Sequence, residues 1–389
     1  MDNLAVIFFT SVFLLFYVYA GYPLLAKFFG AATNRTVHAS PPGDHTYEPT
    51  ITVLIAAYNE APHIADTVRN KLEQDYPHNK LNVIVISDES EDGTDALVEA
   101  IDDDRVQLIR QEPRAGKTSA LNLAMPQATG EVIVFSDANS LYGPDTLRNL
   151  VAPLNDPEVG YVTGRMVYKA PDGSLTGEGC SAYMNYENKL REWETQLGSV
   201  VGVDGGVDAM RREIYMPMNA DQLPDFVQPL TVVEHGYRVV YEPRALLYED
   251  ALSAAADEYR MRVRVGLRAL HALKDKSTLL NPALFGTFAW QLWSHKVLRY
   301  MAFLFMVTAF ASNWALASQQ NTTGWALAFL GQIVFYGVAQ WGHVMSRRGL
   351  ESSRLVSLAY FLCLVNLASA QAFWQFLRGR KQVIWKPRT

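Results

Sequence analysis

The apolar residues of this chain gather at its two ends. One run extends from about Leu4 to Phe29, and three more come late, at about Leu298–Ala317, Trp325–Val344 and Leu355–Leu377. A helix needs about 20 residues to cross a bilayer, and backbone at that depth must satisfy its own hydrogen bonds. These runs predict membrane helices, and the charged middle of the chain must fold outside the lipid. The expected organisation is an anchor over residues 1–30, a linker over 31–48, a soluble domain over 49–281, and an interfacial helix, membrane helices and a basic tail over 282–389. Val18 and Ala20 would suit a cleaved signal peptide, but Met1-Asp2-Asn3 is acidic where such a peptide is basic, so the first run reads as a retained anchor.

Charge sets the expected topology. Lys27 and Arg35 place the N-terminus outside and the soluble domain in the cytoplasm. The uncharged connection Ser318–Gly324 suits the outside, whereas Arg347, Arg348 and Arg354 suit the inside. Counting helices then sends the C-terminus out, while Arg378, Arg380, Lys381, Lys386 and Arg388 argue for in. Asn366, Ser369 and Gln371 make the last run a poor lipid-facing span, open to being bent, re-entrant or interfacial. Pro282–Arg299 mixes aromatic residues with Gln291, His295 and Lys296, either as an interfacial helix or as an early start to the next span. Only Cys180 and Cys363 are present, which excludes a disulfide framework and fits a reducing compartment. The net charge of -6 offers no overall basic surface to nucleic acid.

Between Pro49 and about Ala251, β-branched runs alternate with helical patterns, the signature of an α/β domain with a mostly parallel sheet. Strands are predicted at Ile51–Ala57, Leu81–Ile86, Val106–Arg110 and Val132–Ser136, and helices at Thr67–Gln74, Ala96–Ile101 and Lys117–Ala128. Acids and amides collect where strands end, in Tyr58-Asn59-Glu60, Ser87-Asp88-Glu89 and Ser136-Asp137-Ala138-Asn139. Ligands of open α/β sheets bind outside the carboxyl ends of the strands, and this set suits a ribose, a base edge and a cation. A single such acid is usually a turn former; the repetition carries the signal. Asp137 and Asn139, two residues apart, can face the same side and share one hard cation, although an Asx-turn explains the pair equally well in isolation. Arg114-Ala115-Gly116-Lys117-Thr118-Ser119 ends like a P-loop, but Gln111 stands where that motif needs glycine, which disfavours an ATPase. Lys117 at a helix start still suits a diphosphate.

Ala56-Ala57-Tyr58-Asn59-Glu60, Ser87-Asp88-Glu89-Ser90-Glu91-Asp92-Gly93-Thr94, Gly116-Lys117-Thr118-Ser119-Ala120-Leu121-Asn122 and Phe135-Ser136-Asp137-Ala138-Asn139 share an order and spacing that resemble the family 2 glycosyltransferases. That group includes the cellulose, chitin and hyaluronan synthases. The resemblance continues through Gly205-Gly206 with Arg211, Pro224-Asp225 and Gly236–Pro243, and covers roughly Thr50 to Arg268. It implies an α/β domain of the GT-A type, flanked by transmembrane helices. It implies that Asp88 and the loop of Ala57, Tyr58 and Glu60 touch the nucleotide. It further implies that Asp137 and Asn139 hold a Mg²⁺ or Mn²⁺ ion and the donor, usually a UDP-sugar, that Gly205 and Gly206 border the acceptor, and that Asp225 is the catalytic base. Such a base takes the proton of the acceptor hydroxyl while the ion steadies the leaving diphosphate.

Three departures from that pattern stand out. Asn139 replaces an acid in the metal motif, Pro224 replaces the acid before Asp225, and the Gln-x-x-Arg-Trp motif of processive synthases gives way to Arg260–Arg268 without a tryptophan. Arg260, Arg264 and Arg268 share a helix face by their spacing, which suits a donor diphosphate or anionic lipid headgroups. Glu249 and Asp250, after the strand end at Tyr248, read as solvated loop acids first and as acids that back the site second. The expected function is an inverting hexosyl- or N-acetylhexosaminyltransferase of the cell envelope. It would act at the inner membrane on a lipid-linked or glycan acceptor, with partner proteins of a polysaccharide synthesis complex. The alternative is a weakly catalytic, nucleotide-sugar-binding scaffold subunit. A nucleotidyltransferase is disfavoured because Gly205-Gly206 and Asp225 would then have no role.

Overall fold

The computed structural model describes residues 3–41, 43, 46–169, 175–250, 255–319, 322–350 and 353–384; Lys386 and Arg388 of the basic tail lie outside them. The centre of the fold is a block of parallel strands: β1 (Ile51–Ala57), β2 (Leu81–Asp88), β3 (Val106–Gln111) and β4 (Val132–Asp137), side by side in the order 3-2-1-4. Every residue of β1 is buried, as a strand covered on both faces requires. Beyond β4 the sheet turns mixed. The strands β5 (Leu141–Tyr142), β6 (Val159–Lys169), β7 (Asp208–Arg211) and β8 (Arg238–Asp250) complete the order β3-β2-β1-β4-β7-β6-β8-β5, with β7 antiparallel to both β4 and β6.

Helix α1 (Asn3–Thr33) precedes the sheet. Within the α/β unit run α2 (Ile64–Leu72), α3 (Thr94–Glu99), α4 (Lys117–Ala124), α5 (Thr146–Val151), α6 (Leu175–Leu197), α7 (Pro224–Glu234) and α8 (Ala255–Asp275). On one sheet face α2, α3 and α5 contribute Ile64, Val68, Val98, Leu147 and Leu150 to the core. On the other, α4, α7 and α8 contribute Leu121, Phe226, Leu230, Ala269 and Leu273. The parallel strands therefore present their carboxyl ends to one edge of a three-layer unit, where the acidic turns meet.

The chain ends in α9 (Pro282–Tyr300), α10 (Ala302–Gln319), α11 (Thr323–Arg347) and α12 (Arg354–Leu377). Among the described residues α1 and α12 are long and apolar enough to cross a membrane, and α9 with α10 passes that test as a pair bent by 57°. The segment before Ala302 is therefore a helix of its own, not the straight beginning of the next. Its polar residues face the α/β unit. Gln291 donates to the Ser199 carbonyl at 3.0 Å, and His295 lies between Glu194 at 2.7 Å and Glu187 at 3.1 Å, both on α6. Tyr22 of α1 also donates to Glu194, so one buried polar cluster pins α1, α6 and α9 together.

Helix α12 bears on the conflict between helix count and tail charge, because it packs on α6 and α8. Near its start Phe361 packs on Tyr183 of α6 and under Arg262 of α8. Near its end Phe376 meets His271, and Ala372 lies 3.2 Å from where a Cβ on Gly266 would stand. Both sets of contacts are made with helices of the α/β unit. The tail continues along α8: the Arg380 carbonyl accepts from His271 Nε2 at 2.8 Å and Lys381 pairs with Asp221 at 2.6 Å. The Val383 carbonyl then stands 2.9 Å from the position of a Cβ on Gly116. Cysteines placed at Arg378 and at the exposed Asp104 of the α/β unit should therefore label from the same side of sealed vesicles. Labelling from opposite sides would mean that α12 crosses.

Candidate active site

Four loops build the site. The turn after β1 is tied to the turn after β2: Asn59 N–H donates to Ser90 Oγ at 3.1 Å, Glu60 N–H to Thr94 Oγ1 at 2.9 Å, and Ala61 N–H to Asp92 at 2.9 Å. The Glu60 main chain thus helps fix the loop. Ala57 is fully buried in the sheet core and can offer a ligand only its main chain. The ring of Tyr58 carries the Arg114 guanidinium 3.3 Å from its centroid, a stacked pair at the mouth of the site that the sequence motifs did not single out.

Asp88 is fully buried at the end of β2, and its carboxylate closes the third loop. It accepts from Ala115 N–H at 2.8 Å, from Gly116 N–H at 3.0 Å and from the Gln111 amide. This holds Gly116, at φ +90°, in a conformation that only glycine adopts readily, and starts α4 at Lys117. Lys117 Nζ reaches Asp137 at 2.7 Å and Asp225 at 3.4 Å. Burial alone would weaken its hold on the proton, but the two carboxylates outweigh burial and raise its pKa above the ordinary lysine value.

Asp137 ends β4 with its side chain 38% exposed. The following turn is closed by main chain, Ser140 N–H to the Asp137 carbonyl at 3.2 Å, and the carboxylate accepts from Lys117. The Asn139 amide donates to Glu249 at 3.3 Å, and Glu249 is buried, which corrects its reading as a solvated acid. The side chain of Asp250 lies outside the described residues. The acid lost at position 139 thus has a neighbour at 249 that needs a donor. Asn139→Asp alone would set two carboxylates together in a recess and should lower stability by about 1–3 kcal/mol. The double variant with Glu249→Gln should recover most of that in thermal melts; equal loss in both would show that the contact is incidental.

Asp225 sits in the first turn of α7, behind Pro224 at the position where a missing N–H leaves nothing unsatisfied. Its side chain is 27% exposed. Burial raises its pKa, Lys117 opposes this, and Asp137 adds to it; the net direction is up, toward a stronger base. Gly205 and Gly206, expected beside the acceptor, make room for the two carboxylates. A Cβ on Gly205 would lie 2.4 Å from Asp225 Cγ, and one on Gly206 would lie 3.3 Å from Asp137 Oδ2. Behind them Asp208 accepts from Gly205 N–H at 2.9 Å and from the Tyr161 hydroxyl at 3.0 Å, and burial pushes its pKa up to about 7. An acid at the very start of β7, just before Ala209 and Met210, was the signal for it.

The three arginines expected to share one face of α8 part ways. Arg260 is exposed and pairs with Asp257. Arg268 is buried, with its pKa lowered to about 10 by that burial, and bonds Thr118 Oγ1 at 3.0 Å and the Asp221 carbonyl at 3.3 Å. It braces the start of α4 against the segment leading to Asp225. Half-buried Arg264 lies near enough to repel it electrostatically.

Among the described residues no group of three or more His, Cys, Asp or Glu is placed to hold a metal unaided. Asp137 and Asn139 do offer oxygen donors at an open edge. That fits an ion of the Mg²⁺ type, which is held by one or two carboxylates and completed by substrate phosphates.

Residues 52–218 match the family described as Glycosyl transferase family 2. The chain carries a family 2 glycosyltransferase domain. It is 28% identical over 169 residues to beta-monoglucosyldiacylglycerol synthase of Trichormus variabilis, covering 42% of this chain and 36% of that protein. It is 27% identical over 221 residues to poly-beta-1,6-N-acetyl-D-glucosamine synthase of Staphylococcus aureus, covering 55% and 53%. The match thus spans between about a third and about half of these curated relatives. Among solved structures, a mannosyltransferase from Pyrobaculum calidifontis in complex with GDP-Man and Mn²⁺ superposes with a TM-score of 0.70 at 25% identity, covering 94% of this chain and 99% of that one. The family 2 domain here has the GT-A architecture, and its likeness to that mannosyltransferase takes in the helices on both sides.

Proposed function

We propose that this chain is an inverting glycosyltransferase that moves a sugar from a nucleotide-sugar to a hydroxyl of a membrane-associated lipid or glycan, with its α/β unit on the cytoplasmic face of the cell membrane. The observation that carries the reading is Lys117 Nζ standing between Asp137 and Asp225. It joins a carboxylate suited to the donor side with a carboxylate suited to the acceptor side. A UDP-sugar is the first candidate donor, and a GDP-sugar the second because the mannosyltransferase structure holds GDP-Man.

In this reading the donor's nucleoside lies over Tyr58, Arg114 and the Asp88-braced turn, and its diphosphate reaches Lys117. A Mg²⁺ or Mn²⁺ ion held by Asp137 and Asn139 would neutralise charge on the leaving diphosphate. Asp225 takes the proton of the acceptor hydroxyl as its oxygen attacks the anomeric carbon; the bond to the diphosphate breaks and the configuration inverts. Lys117 keeps both carboxylates oriented before the donor arrives, so little reorganisation remains for the reaction itself.

The test is release of UDP or GDP from a panel of nucleotide-sugars by the full chain in native membranes, with and without Mn²⁺. Mn²⁺-dependent release of one diphosphate supports the reading and names the donor. Nucleotide binding with no release from any donor would put the scaffold reading in its place.

A further inference from the structure

We infer that Lys71 is a positioning residue for the cation-binding turn, holding Asp137 and Asn139 in place from behind the sheet edge. The inference rests on the proposed metal-assisted transfer. Lys71 lies on α2 with no exposed surface, yet lysine is almost never fully buried unless paired with an acid. Among the described residues no carboxylate hydrogen-bonds it. Its Nζ donates instead to the Ser140 carbonyl at 2.6 Å and to Asn70 Oδ1 at 3.1 Å, and it stands 3.6 Å from the centroid of the Tyr142 ring.

These contacts belong to a clamp along one helix face. Thr67 Oγ1 donates to the Ala138 carbonyl at 2.7 Å. Asn70 accepts from Tyr142 N–H at 2.7 Å and donates to the Tyr142 carbonyl at 3.0 Å. Thr67, Asn70 and Lys71 together therefore bind the main chain at Ala138, Ser140 and Tyr142. That is every second residue after Asp137, with Asn139 suspended between two held points. A turn so short has few bonds of its own; among the described residues its internal link is Ser140 N–H to the Asp137 carbonyl. Burial draws the Lys71 ammonium well below the usual lysine range while Asp137 draws it back up. In either protonation state the amine donates to Ser140.

Partners that orient metal ligands without touching the ion typically contribute about 10–100-fold to metal affinity. The experiment is a Mn²⁺ titration of the detergent-purified full chain, reading the concentration that half-saturates binding of UDP or GDP, with nucleotide affinity in chelator and thermal melts in parallel. Lys71→Met keeps the aliphatic stem and removes the donors. It should raise the half-saturating Mn²⁺ about 10–100-fold while leaving metal-free nucleotide affinity unchanged. Thr67→Val, which preserves shape and removes only the Ala138 bond, should shift Mn²⁺ in the same direction and decides the matter if Lys71→Met fails to fold. Superimposable Mn²⁺ curves alongside a lowered melting temperature would show that Lys71 merely packs. A parent chain whose nucleotide binding ignores Mn²⁺ would overturn the metal-assisted reading itself, and this inference with it.

Discussion

Asp225→Asn should reduce sugar transfer by about 10²–10⁴-fold, the range a positioned general base supplies, and leave nucleotide affinity unchanged. The amide is nearly isosteric, and its oxygen can still accept from Lys117, which stands 3.4 Å from Asp225 and keeps Asp137 as its nearer partner at 2.7 Å. The donor side therefore stays assembled. What is lost is a carboxylate whose proton affinity is raised by its burial and by Asp137. Single-turnover transfer beside calorimetric UDP or GDP binding separates the two effects. Near-normal transfer, or lost binding, would remove Asp225 from the base position.

Gly205→Ala should be as damaging as removing the base, although it adds only a methyl group. Gly205 sits at φ +85°, where a side chain costs about 1–3 kcal/mol, and its Cβ would come within 2.4 Å of Asp225 Cγ and 2.9 Å of Asp225 Cβ. Neither neighbour can yield easily, because the Gly205 N–H is held by buried Asp208 and Asp225 is fixed in the first turn of α7. Gly206→Ala meets its neighbours at 3.1–3.3 Å and should be milder. Initial rates and melting temperatures of the two variants check the ranking; equal behaviour would mean that the close approach of Gly205 to Asp225 is not what shapes the site.

The strand-end chemistry was legible because it is local. Parallel strands buried on both faces read as apolar runs, and the polar residues that follow them are the turns of the site; β1 matches its expected bounds residue for residue. Lys117 meets Asp137 and Asp225, and Asp88 braces the Gly116 turn that precedes Lys117. Residues whose meaning depends on distant packing were not legible. Glu249 looked like a loop acid until the fold laid β8 beside Asn139. The spacing of Ile64, Thr67, Val68 and Lys71 does place the lysine on the buried face of α2, but nothing nearby in sequence says what it meets there. Helix α12 is apolar enough for a span yet carries Asn366, Ser369 and Gln371, and a helix buried against protein on one side is just as apolar. Its contacts with α6 and α8 were not legible in the sequence.

The route of the tail has a practical side. Val383 stands at the rim of the loop that carries Gly116 and Lys117, whereas α1 begins against α10. A fluorescent reporter attached at Val383 would stand beside Gly116 and close to the Lys381–Asp221 pair. The same reporter placed ahead of Asn3 leaves that rim untouched, so binding constants from the two designs measure different proteins.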